Sequence, residues 1–176
     1  MINGWGRYGN YKTKLYKPKT VSLVKKKLKK SLTESFICRG LGRSYGDSSI
    51  NNRIIDLSNI KKKFKISKKK KEITCTSNFS IKELLPILLE ENFFLKVTSG
   101  TQYVTIGGAI ASDIHGKNHH KDGSFCDHVN EIEVLLANGK IIKCSKTKNK
   151  NLFFSTCGGM GLTGIILSAK IQLLKI

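Results

Sequence analysis

The sequence predicts an α+β fold in two lobes, a small βαβ-like N-terminal lobe and a larger, mainly antiparallel one. Three observations predict it. Helical stripes alternate with short apolar runs through the first half. The second half carries hairpin signals, above all Asn138 followed by Gly139. Between them, residues 98–127 are rich in Gly, Thr, Ser, Asn and His. Such a polar segment between ordered elements is usually functional and fits a position between lobes. The expected lobes cover about 1–97 and 98–176 of one domain.

Each element has a local reason. Residues 21–31 place Val21, Leu23, Val24 and Leu28 on one helical stripe with lysines outside; Thr20 caps it and Pro18 bars an earlier start. Residues 35–38 and 54–57 read as short apolar strands. Residues 64–67 and 72–77 form a hairpin with lysines at its tip, where charge stays wet and discourages edge pairing. Residues 80–91 form a helix with Ser80 as cap and Glu83 completing a capping box. Residues 93–97 return as a strand. Residues 107–112 are a short small-residue stretch that opens as a helix. Residues 131–137 and 140–144 form a hairpin, with Asn138 and Gly139 suited to a type I′ turn. A short helix at 151–156, a glycine turn at 157–164 and a long strand at 165–174 complete the chain.

Composition bounds the function. With 176 residues and 39% hydrophobic content the chain is globular, and at this length it buries roughly 70% of its unfolded surface without a metal or disulfide staple. The net charge of +20 comes almost entirely from lysine, since Arg7, Arg39, Arg43 and Arg53 are the only arginines. Base readout leans on Arg forks and single-strand binding on aromatic platforms, so no nucleic-acid partner is expected. The charge reads as a solvated lysine-rich surface. Five cysteines without CxxC spacing fit a reducing, cytoplasmic setting. The first residues lack the apolar core of a signal peptide, and no apolar run approaches the roughly 18 residues of a membrane span. Any membrane contact is therefore expected to be peripheral, at the inner face.

Three glycine clusters and one histidine cluster carry the candidate chemistry. Residues 39–47 (RGLGRSYGD) have GxGxxxG spacing and lead to a polar turn, so they fail as a Rossmann fingerprint. Their glycines still allow backbone amides to approach a phosphate as an anion nest, with Arg39, Arg43 and Ser44 adding donors. A tight turn between strands explains them equally well. In residues 100–108 (GTQYVTIGG), Gly107 and Gly108 start a helix whose free N–H groups and dipole would face an anion; ordinary turn glycine is the alternative. Residues 115–120 (HGKNHH) place His115 and His119 four apart. Gly116 and Asn118 between them argue against a helical metal site, so no metal is expected. A ligand-lining loop and a surface His-rich loop remain open. Residues 158–164 (GGMGLTG) suit a nucleotide-contacting edge and a plain turn equally.

These ordered motifs, with Gly4-Trp-Gly-Arg7 at the start, resemble the FAD-binding (PCMH-type) domain of the vanillyl-alcohol-oxidase flavoproteins, nearest the branch of decaprenylphosphoryl-ribose and aldonolactone oxidases. The resemblance spans essentially the whole chain. It implies diphosphate contacts from Arg39, Gly40, Leu41, Gly42, Arg43, Ser44, Tyr45, Gly46 and Asp47. It implies diphosphate and ribityl contacts from Gly100, Thr101, Thr105, Ile106, Gly107 and Gly108. It places Ser112, His115, Gly116 and Asn118 along the isoalloxazine, and Ile165 at the adenosine end. Tyr45, His115 and Lys117 would face the flavin and the substrate pocket as catalytic candidates.

The implied reaction is hydride transfer from a carbinol carbon to FAD, on a small-molecule or lipid-linked sugar or lactone. Relatives that bond FAD covalently in the first glycine turn carry His where this chain has Arg43, so non-covalent FAD is expected. The chain stops where the family's cofactor domain ends. A substrate domain, with the catalytic base, is expected elsewhere, and a separate substrate-domain or reductase partner is a corollary. The competing class is a non-catalytic basic module for anionic lipid or nucleic acid, which would take up no FAD.

Overall fold

The computed structural model describes residues 1–30 and 34–176. The small lobe is a three-stranded parallel sheet of β1 (Lys14–Tyr16), β2 (Ile37–Cys38) and β3 (Arg53–Ile55), in the order β1-β3-β2. Parallel neighbours need a crossover, and α1 (Val21–Lys30) follows β1 to supply it. Val24 is the helix residue that is fully buried, packed with Ile55 and Leu57. The last residue of the expected helix, Ser31, lies outside the described residues.

One local expectation changes here, and one strand was not expected. The strand expected over 54–57 ends at Ile55, because Asp56 caps a 3-10 turn at Leu57–Asn59: Asp56 Oδ1 accepts from the Ser58 amide at 2.8 Å. β1 gave no sequence signal, since it is three residues long and mostly exposed.

The large lobe is a six-stranded sheet. Its strands are β4 (Phe64–Ser67), β5 (Glu72–Thr76), β6 (Phe93–Leu95), β7 (Val129–Leu135), β8 (Ile141–Cys144) and β9 (Ile165–Lys175). The order is β4-β5-β9-β7-β8, with β6 also paired to β9, and every pairing is antiparallel. The helices α2 (Ile81–Glu90), α3 (Ile106–Ala111), α4 (His119–Asp122) and α5 (Lys150–Thr156) lie in the connections. The division expected at residue 97 therefore falls inside one sheet. β5 and β6 belong with β9, and pairing across so many residues leaves no local trace.

Strand β9 serves two cores. Ile165 and Leu167 pack with Val24 and Leu135 in the small core, while Ile166, Ala169, Ile171 and Leu173 enter the main one. The switch of parity coincides with a bulge, where Glu133 pairs with Ser168 but Val134 with Ile166. One extra residue flips the faces of a strand, and here it lets one strand bridge both lobes.

The capping box forms as expected: Ser80 Oγ accepts from the Glu83 amide at 3.2 Å, and Glu83 Oε2 accepts from the Ser80 amide at 2.8 Å. The hairpin at Asn138 and Gly139 forms, but not as a type I′ turn. Gly139 has φ +82°, while Asn138 is not among the residues of positive φ. The Gly139 amide donates to Leu136 O at 2.9 Å and the Leu136 amide to Lys140 O at 2.9 Å. That is a three-residue loop with a left-handed glycine at its end, the next most common hairpin solution.

Candidate functional site

A groove of about 710 Å³ runs between the lobes, within the roughly 300–1,000 Å³ typical of small-molecule sites. The small lobe lines it with Cys38, Arg39, Gly40, Leu41, Gly42, Arg43 and Ser44. The large lobe answers with Ser77, Asn78, Thr105, Gly107, Gly108 and Ser112. Met160, Gly161 and Gly164 close one side, so the third glycine cluster is a groove edge.

The first glycine turn and the Thr105 loop touch. A Cβ built on Gly40 would overlap Thr105 Oγ1 and lie 3.1 Å from its Cγ2. Only a hydrogen at residue 40 lets the two walls meet. Gly42 has φ +64°, and a Cβ there would lie 2.6 Å from Arg39 Cζ. The turn is therefore built around the Arg39 side chain.

Arg39 is spent on that task. Its guanidinium donates to Asn3 O at 2.8 Å, Ser49 Oγ at 3.0 Å and Ser49 O at 3.3 Å. Burial, and then the neighbouring Arg43 charge, pull its pKa below the usual arginine value. It braces the turn from behind rather than standing free as an anion donor. The amides of Gly40, Leu41, Gly42, Arg43, Tyr45 and Gly46, by contrast, have no protein acceptor among the described residues. Unpaired amides in a glycine turn beside a groove form an anion-binding concavity.

The second loop differs from expectation. Helix α3 forms, with Thr105 as its cap, but its leading amides are already taken. Ile106 N donates to Phe79 O at 2.8 Å, Gly107 N to Ser77 O at 2.9 Å and Gly108 N to Thr105 Oγ1 at 3.1 Å. The free N–H groups expected at the helix start are absent, because the cap and the preceding strand end consume them. Gly107 matters instead for close packing: a Cβ there would lie 3.1 Å from Ser77 Cβ.

Other expected residues lie off the groove. Ile106 is fully buried in the main core and Ile165 packs in the small one; strand alternation turns Ile166 to the groove in place of Ile165. Gly100 and Thr101 are not on its wall, and Thr101 binds its own loop through Tyr103 N and Ser99 Oγ. Tyr45 is 87% exposed, and Gly46 and Asp47 lie beyond the wall. His115 and Lys117 are exposed, with the His115 ring edge-on to His119 at 5.2 Å. Gly116 is buried against Thr98 O, and Asn118 Nδ2 donates to Lys96 O at 3.0 Å and to Asp122 Oδ2 at 2.8 Å. Ser112 is the last residue of that segment on the groove.

The groove's titratable groups are committed. Asp56 pairs with Lys17 at 3.2 Å. Burial pushes Glu83 upward, but the Lys62 ammonium and the Ser80 N–H and O–H donors outweigh it and hold the carboxyl at about 2. Burial, helped by Asp56, pushes the Cys38 thiol up to about 12. Among the described residues, no carboxylate lining the groove is left as a free proton acceptor.

Sequence reasoning missed Asn78, whose Nδ2 donates to Leu57 O at 3.0 Å and Ile60 O at 2.8 Å and so ties the lobes at the groove. A lone Asn between strand and helix carries no pattern that would mark it.

A cleft between the lobes with unpaired amides at a glycine turn and glycines at the close approaches of its walls fits a dinucleotide. Residues 15–145 match the family model of a FAD binding domain. Over 178 aligned residues the chain is 36% identical to decaprenylphosphoryl-β-D-ribose oxidase of Mycolicibacterium smegmatis, covering 98% of this chain and 39% of that protein. It is 26% identical to L-gulonolactone oxidase of Bos taurus, covering 97% of this chain and 40% of that one. The structure of a BBE-like 1 protein of Physcomitrella patens superposes with a TM-score of 0.82 at 24% identity, over 92% of this chain and 36% of the other, and shows the shared fold. The chain spans about two fifths of the length of these curated relatives.

Proposed function

We propose that this chain, which belongs to the FAD binding domain family, is the cofactor-holding part of an oxidoreductase that oxidises a CH–OH group of a sugar or lactone. FAD is its cofactor. The observation that carries the reading is the row of unclaimed amides in the glycine turn, held against Thr105 at the wall of the groove. Two relatives named as oxidases of a lipid-linked ribose and of a lactone support the substrate class.

When bound, FAD supplies the acceptor for a hydride from the carbinol carbon. The chain's own residues bind and orient. The amides of Gly40, Leu41 and Gly42 would hold the diphosphate, and Arg39 braces the turn that carries them. Ser112 lines the groove, three residues before His115 in the chain. His115, Lys117 and Tyr45 are exposed and accessible to a substrate. Lys117 would offer positive charge to a bound flavin. The hydroxyl proton needs a base from outside the groove, since both groove carboxylates are ion-paired. A further substrate-binding segment or separate partner supplies it.

FAD is held non-covalently, because an arginine at position 43 forms no flavin bond. We place the protein at the cytoplasmic face of a membrane, as a peripheral partner of a lipid-linked substrate. In support, Lys25, Lys26, Lys27, Lys29 and Lys30 of α1 have no carboxylate partner among the described residues. Each lysine near an anionic surface contributes about 1 kcal/mol.

The test is direct. Purified protein incubated with FAD and desalted should be yellow and carry one FAD per chain, released in full by denaturant. A protein that stays colourless refutes the FAD reading, and flavin that remains bound after denaturation refutes the non-covalent one. In a form that includes the substrate-binding segment, His115→Ala should slow flavin reduction without lowering stability.

A further inference from the structure

The first eleven residues lie across the glycine turn. Trp5 N donates to Ser44 O at 2.9 Å, Asn3 O accepts from Arg39 at 2.8 Å, and Ile2 and Tyr11 close the segment on itself with paired 3.0 Å bonds. Gly4 is buried, and a Cβ there would overlap Gly46 O and lie 3.3 Å from Ser44 O. The segment thus rests directly on the backbone of the turn whose amides are unclaimed.

Arg43 fastens it. Its guanidinium lies 4.8 Å from the Trp5 ring centroid and 5.9 Å from that of Tyr103, and donates to Leu41 O at 2.7 Å. Its Nε is buried without an acceptor. Lys82 approaches the Tyr103 ring at 5.1 Å. One arginine therefore joins the N-terminal segment, the glycine turn and the loop before α3. A planar guanidinium stacks on aromatic faces where an ammonium does not.

We infer that residues 2–11 form a strap that preorganises the glycine turn for FAD, with Trp5 and Arg43 as its positioning residues. The inference rests on the FAD reading. Freeing the strap leaves the amides in place chemically but lets them wander, and the ordering that FAD must then impose weakens its binding. A cation–π contact of this kind corresponds to roughly 3- to 30-fold in affinity.

Trp5 is the single tryptophan, so its emission reports on the strap without interference. FAD titrated into the apo protein should quench that emission in step with occupancy. Trp5→Ala and Arg43→Lys should each weaken FAD binding by the stated factor, read from quenching of flavin fluorescence. Trp5→Phe should restore most of it, and the melting temperatures of the apo variants should stay close to wild type. Gly4→Val, which wedges the strap off, should reproduce the affinity loss.

If wild type binds no FAD, the cofactor reading itself fails. If wild type binds and Trp5→Ala binds equally well, the strap has no positioning role. A variant whose apo form melts far lower, with the affinity of its folded fraction unchanged, gives the strap a merely structural role and overturns the inference.

Discussion

Gly40→Ala sets the two walls of the groove against each other. The new methyl group would overlap Thr105 Oγ1 and lie 3.1 Å from Cγ2 and 3.3 Å from Cβ of the same residue. Thr105 cannot easily turn away. It is β-branched and stiff at χ1, and its Oγ1 already accepts from Gly108 N as the cap of α3. Two responses are open. Moving Thr105 gives up the cap, which costs about 1 kcal/mol. Moving the turn is overpacking, which costs about 1–3 kcal/mol. A loss of about 2 kcal/mol is expected, and at about 2–4 °C per kcal/mol for a chain of this size the melting temperature falls by about 4–8 °C. Thermal and urea melts of the apo protein measure it. A double-mutant cycle isolates the cause. Thr105→Ala alone should cost about 1 kcal/mol through the lost cap. In the Gly40→Ala background it also relieves the overlap, so the pair should be non-additive by about 1 kcal/mol. Additivity within about 0.5 kcal/mol would show that the two residues do not meet, and the convergence of the loops would be refuted.

Three further outcomes follow from particular side chains. Glu83→Gln keeps the capping geometry, since Gln also serves in a capping box, but removes the charge beside Lys62. The folded carboxyl sits at about 2 against an ordinary 4.5. Its stabilisation is therefore present above about 4.5 and is lost as pH falls toward 2, and the variant should lack that part of the acid limb. For so exposed a carboxylate, the loss near pH 7 should stay under about 1 kcal/mol. Among the thiols, Cys157 should be alkylated first near neutral pH, as read by peptide mass mapping: a hydrogen bond from Cys126 lowers it, whereas burial pushes Cys38 and Cys75 to about 12. Reaction at Cys38 first would contradict its raised pKa. At the β7–β8 hairpin, Gly139→Ala should cost about 1–2 kcal/mol for a left-handed backbone, and Asn138→Ala less. Equal costs would instead point to a type I′ turn.

Much of this protein was written locally. Alternation, capping and turn chemistry are short-range properties. The Ser80 and Glu83 box, the hairpin of residues 64–76, and helices α1 and α5 follow from residues within a few positions of one another. The glycines of residues 39–47 mark a turn locally, but spacing alone leaves a binding nest and a plain tight turn equally open. Where expectation departed from structure, the deciding contact was distant. Nothing near Gly107 reveals that Ser77 O and Phe79 O claim the amides of α3, or that Arg39 turns back to hold Asn3 and Ser49. The parity that sends Ile165 into the small core and Ile166 to the groove depends on a bulge against β7. His115 and Lys117 have the chemistry of a site, but only the folded backbone shows that they lie off the groove wall. Composition and periodicity determine which segments become strands, helices and binding turns, because those choices are made by neighbouring dihedrals and side-chain alternation. Tertiary packing decides which amides remain free for a ligand, because an amide is free only when no acceptor, however far along the chain, is brought within reach.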